Sequence, residues 1–242
     1  MVRAGPFDVT DGSQDRQPLE TCPASYGARV RPLVLASASP ARRELLERAG
    51  VRPTTRPSAV DEDAVERAAR AADPGLDAAG LVVELARAKG EHVASSWPRD
   101  DEAPVVVACD SVLEVGGAVV GKPHEPDVAV ARWREMRGGE GVLRTGQWVR
   151  DLATGATTSA AASTRLRFAD LSDDEIEAYV ATGEPLGVAG AFTIDGLGGP
   201  YITSVHGDPH AVVGLSLPLL RELLREIDVP NDVLWRPEFR EA

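Results

Sequence analysis

The sequence predicts an α/β fold, and three observations lead to that prediction. Short apolar runs, of which Leu33–Ala36 and Val105–Ala108 are the clearest, have the length and composition of buried strands. Segments with apolar residues at helical spacing alternate with these runs along the chain. The 242 residues, of which 43% are hydrophobic, suffice for one large or two small globular domains, and they contain no internal repeat.

Residues 1–30 are expected to form a flexible arm. This stretch is rich in Pro, Gly and polar residues and has few periodic apolar positions, so it cannot bury enough surface to offset the entropy lost on ordering. We expect the α/β domain to span residues 31–228 and residues 229–242 to form a C-terminal tail.

The first ordered elements are predicted to be a strand over Leu33–Ala36, a tight loop and a helix over Ala41–Ala49. Ser39 is a good N-cap, and Pro40 suits the first helical position because its missing N–H has no partner there. Gly50 can adopt the left-handed conformation that ends a helix. The backbone N–H groups of the loop should therefore lie at the N-terminal end of this helix, where the helix dipole is positive.

A long amphipathic helix is predicted from Leu76 to Ser96. It carries Lys89, and its apolar face is expected to consist of Leu81, Leu85, Ala88 and His92 or Val93. Residues 97–101 supply a polar break.

A second buried strand is predicted over Val105–Ala108, ending at the polar triplet that contains Asp110. Gly116 and Gly117 then favour a hairpin turn into a short strand over Ala118–Val120, just before Lys122. The acid and the lysine should lie near opposite ends of this hairpin.

The remaining elements continue the alternation of helix and strand. They are a helix over Glu125–Arg137, strands over Leu143–Asp151 and Thr158–Phe168, a helix to about Ala181 with Ser172 and Glu175 as a capping box, a Gly-rich stretch over 183–199, a strand over Tyr201–Val205 and a helix over Leu215–Ile227.

Charge and composition exclude several function classes. The net charge of -12 and the sequence pI near 4.8 argue against a surface for duplex nucleic acid, although a local basic pocket for a small anion remains possible. No apolar run reaches the roughly 18 residues that span a bilayer, and the N-terminus is unlike a signal peptide. Cys22 and Cys109 fit no metal spacing and cannot form a disulfide scaffold. We therefore expect a cytoplasmic protein without membrane or duplex partners.

The loop Ser37-Ala38-Ser39-Pro40 is the strongest local candidate for an anion site. Backbone amides, two hydroxyl groups and the guanidinium of Arg42 or Arg43 can converge at the positive end of the helix and hold a phosphate. The alternative is an ordinary capped helix with solvated arginines, which is common.

Asp110 is a candidate general base or metal ligand, because it follows a buried strand at the edge where α/β sheets present functional groups. Its alternative is a turn residue that hydrogen-bonds the local backbone. Twelve residues later, Lys122 lies between Gly121 and Pro123 in a rigid turn that can hold a point charge.

Asp61, Glu62 and Asp63 form an acidic cluster in a predicted loop. Clustered acids beside a phosphate site usually need a divalent cation, whereas a solvated acidic helix start is the simpler interpretation. The four histidines have no metal-ligand spacing, and no Ser or Cys lies in a nucleophile-elbow pattern. Hydrolysis by an activated water is therefore favoured over covalent catalysis.

Lysine is scarce in this chain. Of the 26 basic residues, only Lys89 and Lys122 are lysines. Because Lys and Arg are not interchangeable in a confined site, these two positions are candidates for a specific chemical role.

Six stretches between Leu33 and Leu224 carry a family resemblance. They are, in chain order, LVLASASPARRELLERAG, AVDED, ELARAKG, ACDSVLEVGGAVVGKP, YVATGEPLGVAGAFTIDGLGG and GDPHAVVGLSLPLL. In this order and spacing they resemble the Maf family, the septum-formation proteins that are nucleoside triphosphate pyrophosphatases.

The resemblance implies a fold and an activity. The fold would be a mixed sheet flanked by helices, in two lobes with a central groove, similar to the Maf/ITPase-like architecture. The activity would be cleavage between the α- and β-phosphates, which gives a nucleoside monophosphate and pyrophosphate and requires Mg²⁺ or Mn²⁺. The resemblance further implies removal of non-standard nucleotides and a link to cell division arrest. It is also compatible with a homodimer.

The resemblance also implies roles for individual residues. Asp110 matches the proton acceptor, and Glu62 with Asp110 would hold the metal. The family's polar substrate-binding groups match Ser37, Ser39, Arg42, Glu62, Lys89 and Lys122. Arg42 and the two lysines would neutralise the triphosphate and the leaving pyrophosphate.

Base selection is where this sequence departs from the family. Members that prefer thymidine and uridine triphosphates have Arg, Thr and Gln at the specificity positions, which are Ala41, Ser111 and Asp195 here. The Trp and Glu of the 7-methyl-GTP type are also absent, and Val188 replaces a common Lys. The preferred base is therefore open.

The sequence is compatible with two alternative functions. The first is a nucleotide-sensing regulator of division or septum formation with little turnover, which the departures at the specificity positions allow. The second is a related pyrophosphatase that acts on deaminated purines, and the Ser-x-Ser-Pro loop and the Gly-Lys-Pro turn count against it.

Overall fold

The computed structural model describes residues 30–98 and 102–240. The flexible arm expected over residues 1–30 lies outside the described residues except for Val30. Residues 99–101 of the expected polar break also lie outside them. The strands are β1 Leu33–Leu35, β2 Pro53–Thr55, β3 Val105–Val115, β4 Ala118–Val120, β5 Glu140–Asp151, β6 Thr157–Phe168 and β7 Ile202–His206. The helices are α1 Pro40–Arg48, α2 Glu62–Ala72, α3 Ala78–Ser95, α4 Pro126–Met136, α5 Asp173–Ala181, α6 Pro209–Val213 and α7 Leu217–Glu226.

The strands form one mixed sheet in the order β2-β1-β3-β5-β6-β7, with β4 paired to β3. The β2–β1 and β1–β3 pairs are parallel, and the remaining pairs are antiparallel. Parallel strands need long crossover connections, which α1 and the α2–α3 segment provide, whereas short turns suffice between antiparallel strands. The predicted α/β class with a mixed sheet flanked by helices is confirmed.

Two lobes share the long strands of this sheet. In the first lobe, apolar residues of β1 and the start of β3 are covered by α1 and α7 on one face and by α3 on the other. In the second lobe, Trp133 of α4 is fully buried and makes edge-to-face contacts with Phe168, Tyr179 and Tyr201. Because β3, β5 and β6 run through both lobes, side chains near their middle lie where the lobes meet.

The length of β3 corrects the prediction that this strand ends at Ala108. After Val107 the strand loses its parallel neighbour β1, but it continues to pair with β5, so that Asp110 lies opposite Gly146. The polar triplet after Ala108 indicated a strand end, yet pairing with β5 and β4 extends the strand to Val115. Asp110 is therefore a mid-strand residue just beyond the end of β1.

The buried face of α3 also differs in part from the prediction. Leu81, Leu85 and Val93 are buried as expected, and His92, the alternative to Val93, is exposed. Ala88 is only half-buried, and Gly90 is buried. A Cβ atom at Gly90 would overlap the indole of Trp148. The helix therefore packs directly on the sheet through a position without a side chain.

Three further findings complete the fold. The sequence did not predict α6, which has only five residues and starts after the cap Asp208. In the segment assigned to a C-terminal tail, Val229, Val233 and Leu234 are buried in the core of the first lobe. Within the described ranges, every helix is too short or too polar to cross a lipid bilayer.

Candidate active site

A cavity of about 560 Å³ lies between the two lobes. It is bordered by the β1–α1 loop, the start of α2, Lys89 of α3, the turn after β4, the irregular segment 187–195 before β7 and the end of α6. The predicted site residues along its wall are Ser37, Ser39, Ala41, Glu62, Lys89, Ser111, Lys122, Val188 and Asp195. Folding thus brings residues from distant parts of the sequence around one space.

The β1–α1 loop is shaped by its two serines. The Ser39 side chain caps α1 by accepting a hydrogen bond from the Arg42 N–H at 3.4 Å, and Pro40 occupies the first turn, as predicted. The Ser37 hydroxyl accepts a hydrogen bond from the Ser39 N–H at 3.2 Å. The loop therefore folds back on itself and presents the positive end of α1 to the cavity.

Arg42 is expected to bind the substrate, and in the structure its guanidinium hydrogen-bonds to the protein. It donates to the Gly214 carbonyl at 2.8 Å, to Ser37 Oγ at 3.1 Å, to the Cys109 carbonyl at 2.9 Å and to Ser111 Oγ at 3.2 Å. These bonds join the β1–α1 loop, both neighbours of Asp110 and the end of α6. The guanidinium thus holds three walls of the cavity together, and few of its donors are left for a ligand.

Asp110, Lys89 and Glu62 form a compact charge cluster. The Lys89 Nζ lies 2.5 Å from an Asp110 oxygen and 2.9 Å from a Glu62 oxygen. Asp110 is only 7% exposed, whereas the Glu62 side chain is 52% exposed. Asp61 caps α2 and places Glu62 in its first turn, so these acids start a helix, which confirms the simpler of the two interpretations, and they do not lie in a loop.

Burial raises the pKa of Asp110 above that of an ordinary aspartate, because the charged form loses water contacts. The charge and hydrogen bond of Lys89 oppose this increase, and Arg42 opposes it more weakly. A carboxylate with a raised pKa is a better proton acceptor. Burial also raises the pKa of the Cys109 thiol to about 11, so this cysteine is not a thiolate nucleophile.

Close packing of α3 on the sheet positions Lys89. Gly90 lies against Trp148, and a Cβ atom at Gly146 would overlap the backbone of Val82. Gly146 is the residue paired with Asp110 across β3 and β5. Two positions without side chains therefore let the helix approach closely enough for Lys89 to reach Asp110.

Lys122 borders the cavity from the turn after β4 and is exposed. Its ammonium has no hydrogen bond or ion pair with the part of the chain that the structure describes. The turn itself is anchored, because the Gly121 carbonyl accepts hydrogen bonds from Arg132 at 2.5 Å and from the Gly190 N–H at 3.2 Å. The site thus holds one paired and one unpaired lysine.

The three predicted specificity positions lie at different places on the cavity wall. Ser111 Oγ is 2.9 Å from the hydroxyl of the buried Thr145, which limits its freedom. Ala41 lies in the first turn of α1 and leaves space. Asp195 is 3.7 Å from Arg48 and also borders a neighbouring cavity of about 460 Å³.

The sequence pointed to only Val188 and Asp195 in a segment that contributes much more of the wall. The other contributions from this segment are Gly187, Ala189, Phe192, Thr193 and Ile194. The segment contains only short 3₁₀ turns, so it has no periodic pattern. Two signals were available: the glycines, which mark irregular backbone, and the place of the segment within one of the stretches that carry the family resemblance.

The carboxylates of Glu62 and Asp110 suit a divalent metal. Both contact the Lys89 ammonium, so the two carboxylates lie close together. Among the described residues no group of three His, Cys, Asp or Glu forms a ready metal site. Mg²⁺ is commonly held by one or two carboxylates together with substrate phosphates, and the pair fits that pattern.

Comparison with known proteins gives one consistent description. A family model described as "Maf-like protein" matches residues 32–227. A Salinispora tropica protein is 52% identical over 84% of this chain and 87% of its own length. A Nocardia farcinica protein is 50% identical over 86% of this chain and 98% of its own length. A Thermosynechococcus vestitus protein is 50% identical over 80% of this chain and 92% of its own length. Each of these relatives is named "Nucleoside triphosphate pyrophosphatase".

Proposed function

This chain belongs to the Maf-like protein family, and we propose that it binds nucleoside triphosphates in this cavity and hydrolyses them between the α- and β-phosphates. The chain is a hydrolase of acid anhydrides, and its relatives are named nucleoside triphosphate pyrophosphatases. The observation that carries the proposal is the buried Asp110, 2.5 Å from Lys89 and beside a cavity bordered by a second lysine.

In the proposed reaction, Asp110 accepts a proton from a water molecule as the oxygen of that water attacks the α-phosphorus. The bond from the α-phosphorus to the bridging oxygen breaks, and the electron pair leaves with pyrophosphate. The products are the nucleoside monophosphate and pyrophosphate. The carboxylate is suited to this step because burial raises its pKa while Lys89 keeps it oriented.

The cations and the loop are proposed to stabilise the phosphates. Lys122, which has no partner among the described residues, can follow the oxygens of the leaving pyrophosphate. Ser37 and Ser39 present hydroxyl and backbone donors at the end of α1. Arg42 is assigned a positioning role, since its hydrogen bonds fix the loop and the backbone on both sides of Asp110.

Glu62 and Asp110 would hold the divalent cation, Mg²⁺ or Mn²⁺, which when bound neutralises phosphate charge and supplies Lewis-acid activation. Ala41, Ser111 and Asp195 are proposed to contact the nucleoside. A cytoplasmic setting belongs to the same proposal and is supported by the nucleotide substrate.

The test is release of pyrophosphate by purified protein from a panel of standard and modified nucleoside triphosphates, with Mg²⁺ or Mn²⁺. We expect release from at least one nucleotide. Tight nucleotide binding without any product would contradict the proposal and favour the nucleotide sensor.

A further inference from the structure

Glu184 is the acceptor for four hydrogen bonds that organise one wall of the cavity. Its carboxylate accepts from Tyr179 OH at 2.9 Å, from Thr193 Oγ1 at 2.5 Å, from the Leu197 N–H at 2.9 Å and from the Gly198 N–H at 3.0 Å. Tyr179 OH in turn accepts a hydrogen bond from the Thr193 N–H at 3.3 Å. Both ends of the segment 193–198 are therefore tied to one side chain.

The segment wraps closely around this carboxylate. A Cβ atom at Gly196 would lie 2.5 Å from Glu184 Oε2, and a Cβ atom at Gly198 would lie 2.5 Å from Tyr179 OH. Neither position can accept a side chain without displacing the segment. The glycines in this stretch thus have a specific role, which is to let the backbone approach Glu184.

Glu184 stays ionised in this environment. Burial alone would raise the pKa of Glu184, but the hydrogen bonds from Thr193, Leu197, Tyr179 and Gly198 outweigh it and hold the pKa below the usual value. A carboxylate that accepts several hydrogen bonds is a strong local organiser.

The wall that Glu184 organises is unlike the phosphate-binding part of the cavity. Phe192 and Ile194 are apolar, and Asp195 carries a negative charge that disfavours phosphate. The lysines and the donors of the β1–α1 loop lie elsewhere on the wall. An apolar surface with one carboxylate suits a nucleobase, which offers a flat ring and N–H donors at its edge.

We propose that Glu184 is a positioning residue that fixes the segment 193–198 so that Ile194 and Asp195 contact the base, and thereby sets nucleotide affinity and base selectivity. Glu184 does not border the cavity, so it acts through the segment. The inference rests on the proposed function, because it assumes a nucleotide in this cavity.

The test replaces Glu184 with Gln. The amide turns one acceptor oxygen into a donor, and this donor then faces Tyr179 OH, Thr193 Oγ1 or a backbone N–H, all of which donate in the native protein. We expect KM to rise about tenfold, selectivity between bases to fall by a similar factor, and kcat to stay within about threefold. Glu177→Gln is the matched control, since Glu177 is exposed on α5 and pairs only with Arg134 at 3.4 Å among the described residues.

Tyr179→Phe is the second variant, because it removes one hydrogen bond to Glu184 and keeps the aromatic ring in the core. We expect its KM to rise about threefold, and this variant decides the question if Glu184→Gln does not fold. Circular dichroism and Tm measurements establish folding of each variant.

Binding of α,β-methylene nucleoside triphosphates, measured by calorimetry, separates this inference from the proposed function. Weaker binding and reduced base selectivity in Glu184→Gln, with Glu177→Gln unchanged, would support the positioning role even if the native protein released no pyrophosphate. Unchanged affinity and selectivity in folded Glu184→Gln, or a loss of kcat with unchanged KM, would overturn it.

Discussion

The cavity has two regions that are built in opposite ways. Asp110 lies in the middle of β3, where it pairs with Gly146 of β5, and Lys89 lies on a helix of 18 residues packed directly on the sheet. The segment 193–198, in contrast, has no strand or α-helix and depends on Glu184. The difference indicates that groups for the reaction are held by the rigid core, whereas groups for substrate selection are held by a loop with one organising side chain.

The largest expected effect comes from Asp110→Asn. The amide cannot accept the proton from water, so we expect kcat to fall by about a thousandfold while Tm changes little. Asp174→Asn on the exposed first turn of α5 serves as the control. Pyrophosphate release at the native rate by folded Asp110→Asn would show that another group is the base.

Lys89→Arg is expected to lower kcat by about a hundredfold, although the charge is kept. The Lys89 side chain is only 12% exposed and fits between two carboxylates, where a planar guanidinium is too large. Lys122→Arg should lower kcat by only about threefold, because the exposed Lys122 side chain has room for a guanidinium. Steady-state kinetics measure both, and Arg87→Lys on the exposed side of α3 is the control. Equal effects of the two exchanges would contradict the difference in confinement.

Arg42→Lys separates positioning from phosphate binding. A lysine cannot bridge Ser37, Cys109, Ser111 and Gly214 at once, so we expect kcat to fall by about thirtyfold with little change in KM. Arg43→Lys is the neighbouring control, because the exposed Arg43 side chain forms an ion pair only with Glu47, at 4.0 Å, among the described residues. A rise in KM with kcat preserved would indicate that Arg42 binds the triphosphate directly.

The pH dependence of kcat/KM tests the environment of Asp110. Its pKa is raised in the folded protein, so activity should fall with decreasing pH already above the ordinary aspartate value of about 3.9. Lys89 lowers this pKa, and Lys89→Gln should therefore move the acid limb to higher pH. Lys122→Gln should leave the acid limb in place. An acid limb that Lys89→Gln does not move would show that it belongs to a different group.

The sequence was most informative where function depends on local structure. Ser39 and Pro40 predicted the start of α1, because capping is determined within one turn. Asp110 is indicated by its place after a buried run, but the length of β3 depends on pairing with β5, in which the partner of Asp110 is Gly146, 36 positions away. The local sequence pattern of a strand does not indicate pairing with a strand so distant in the sequence.

The organising roles of Arg42 and Glu184 could not be read from the sequence. Arg42 bonds to Gly214, 172 positions away, so the local motif indicated an anion-binding group but could not indicate this cross-link. Glu184 lies in a stretch that carries the family resemblance, but no local pattern indicates its role, because most of its partners belong to an irregular loop. α6 was missed because five residues are too few for a periodic pattern.

The division between reaction and selection is tested most directly by measuring kcat and KM for Lys89→Arg and Glu184→Gln side by side on one nucleotide. We predict that Lys89→Arg lowers kcat about a hundredfold with KM within about threefold, and that Glu184→Gln raises KM about tenfold with kcat nearly unchanged. If both variants changed the same parameter, the two regions would not have separate roles and the account would be contradicted.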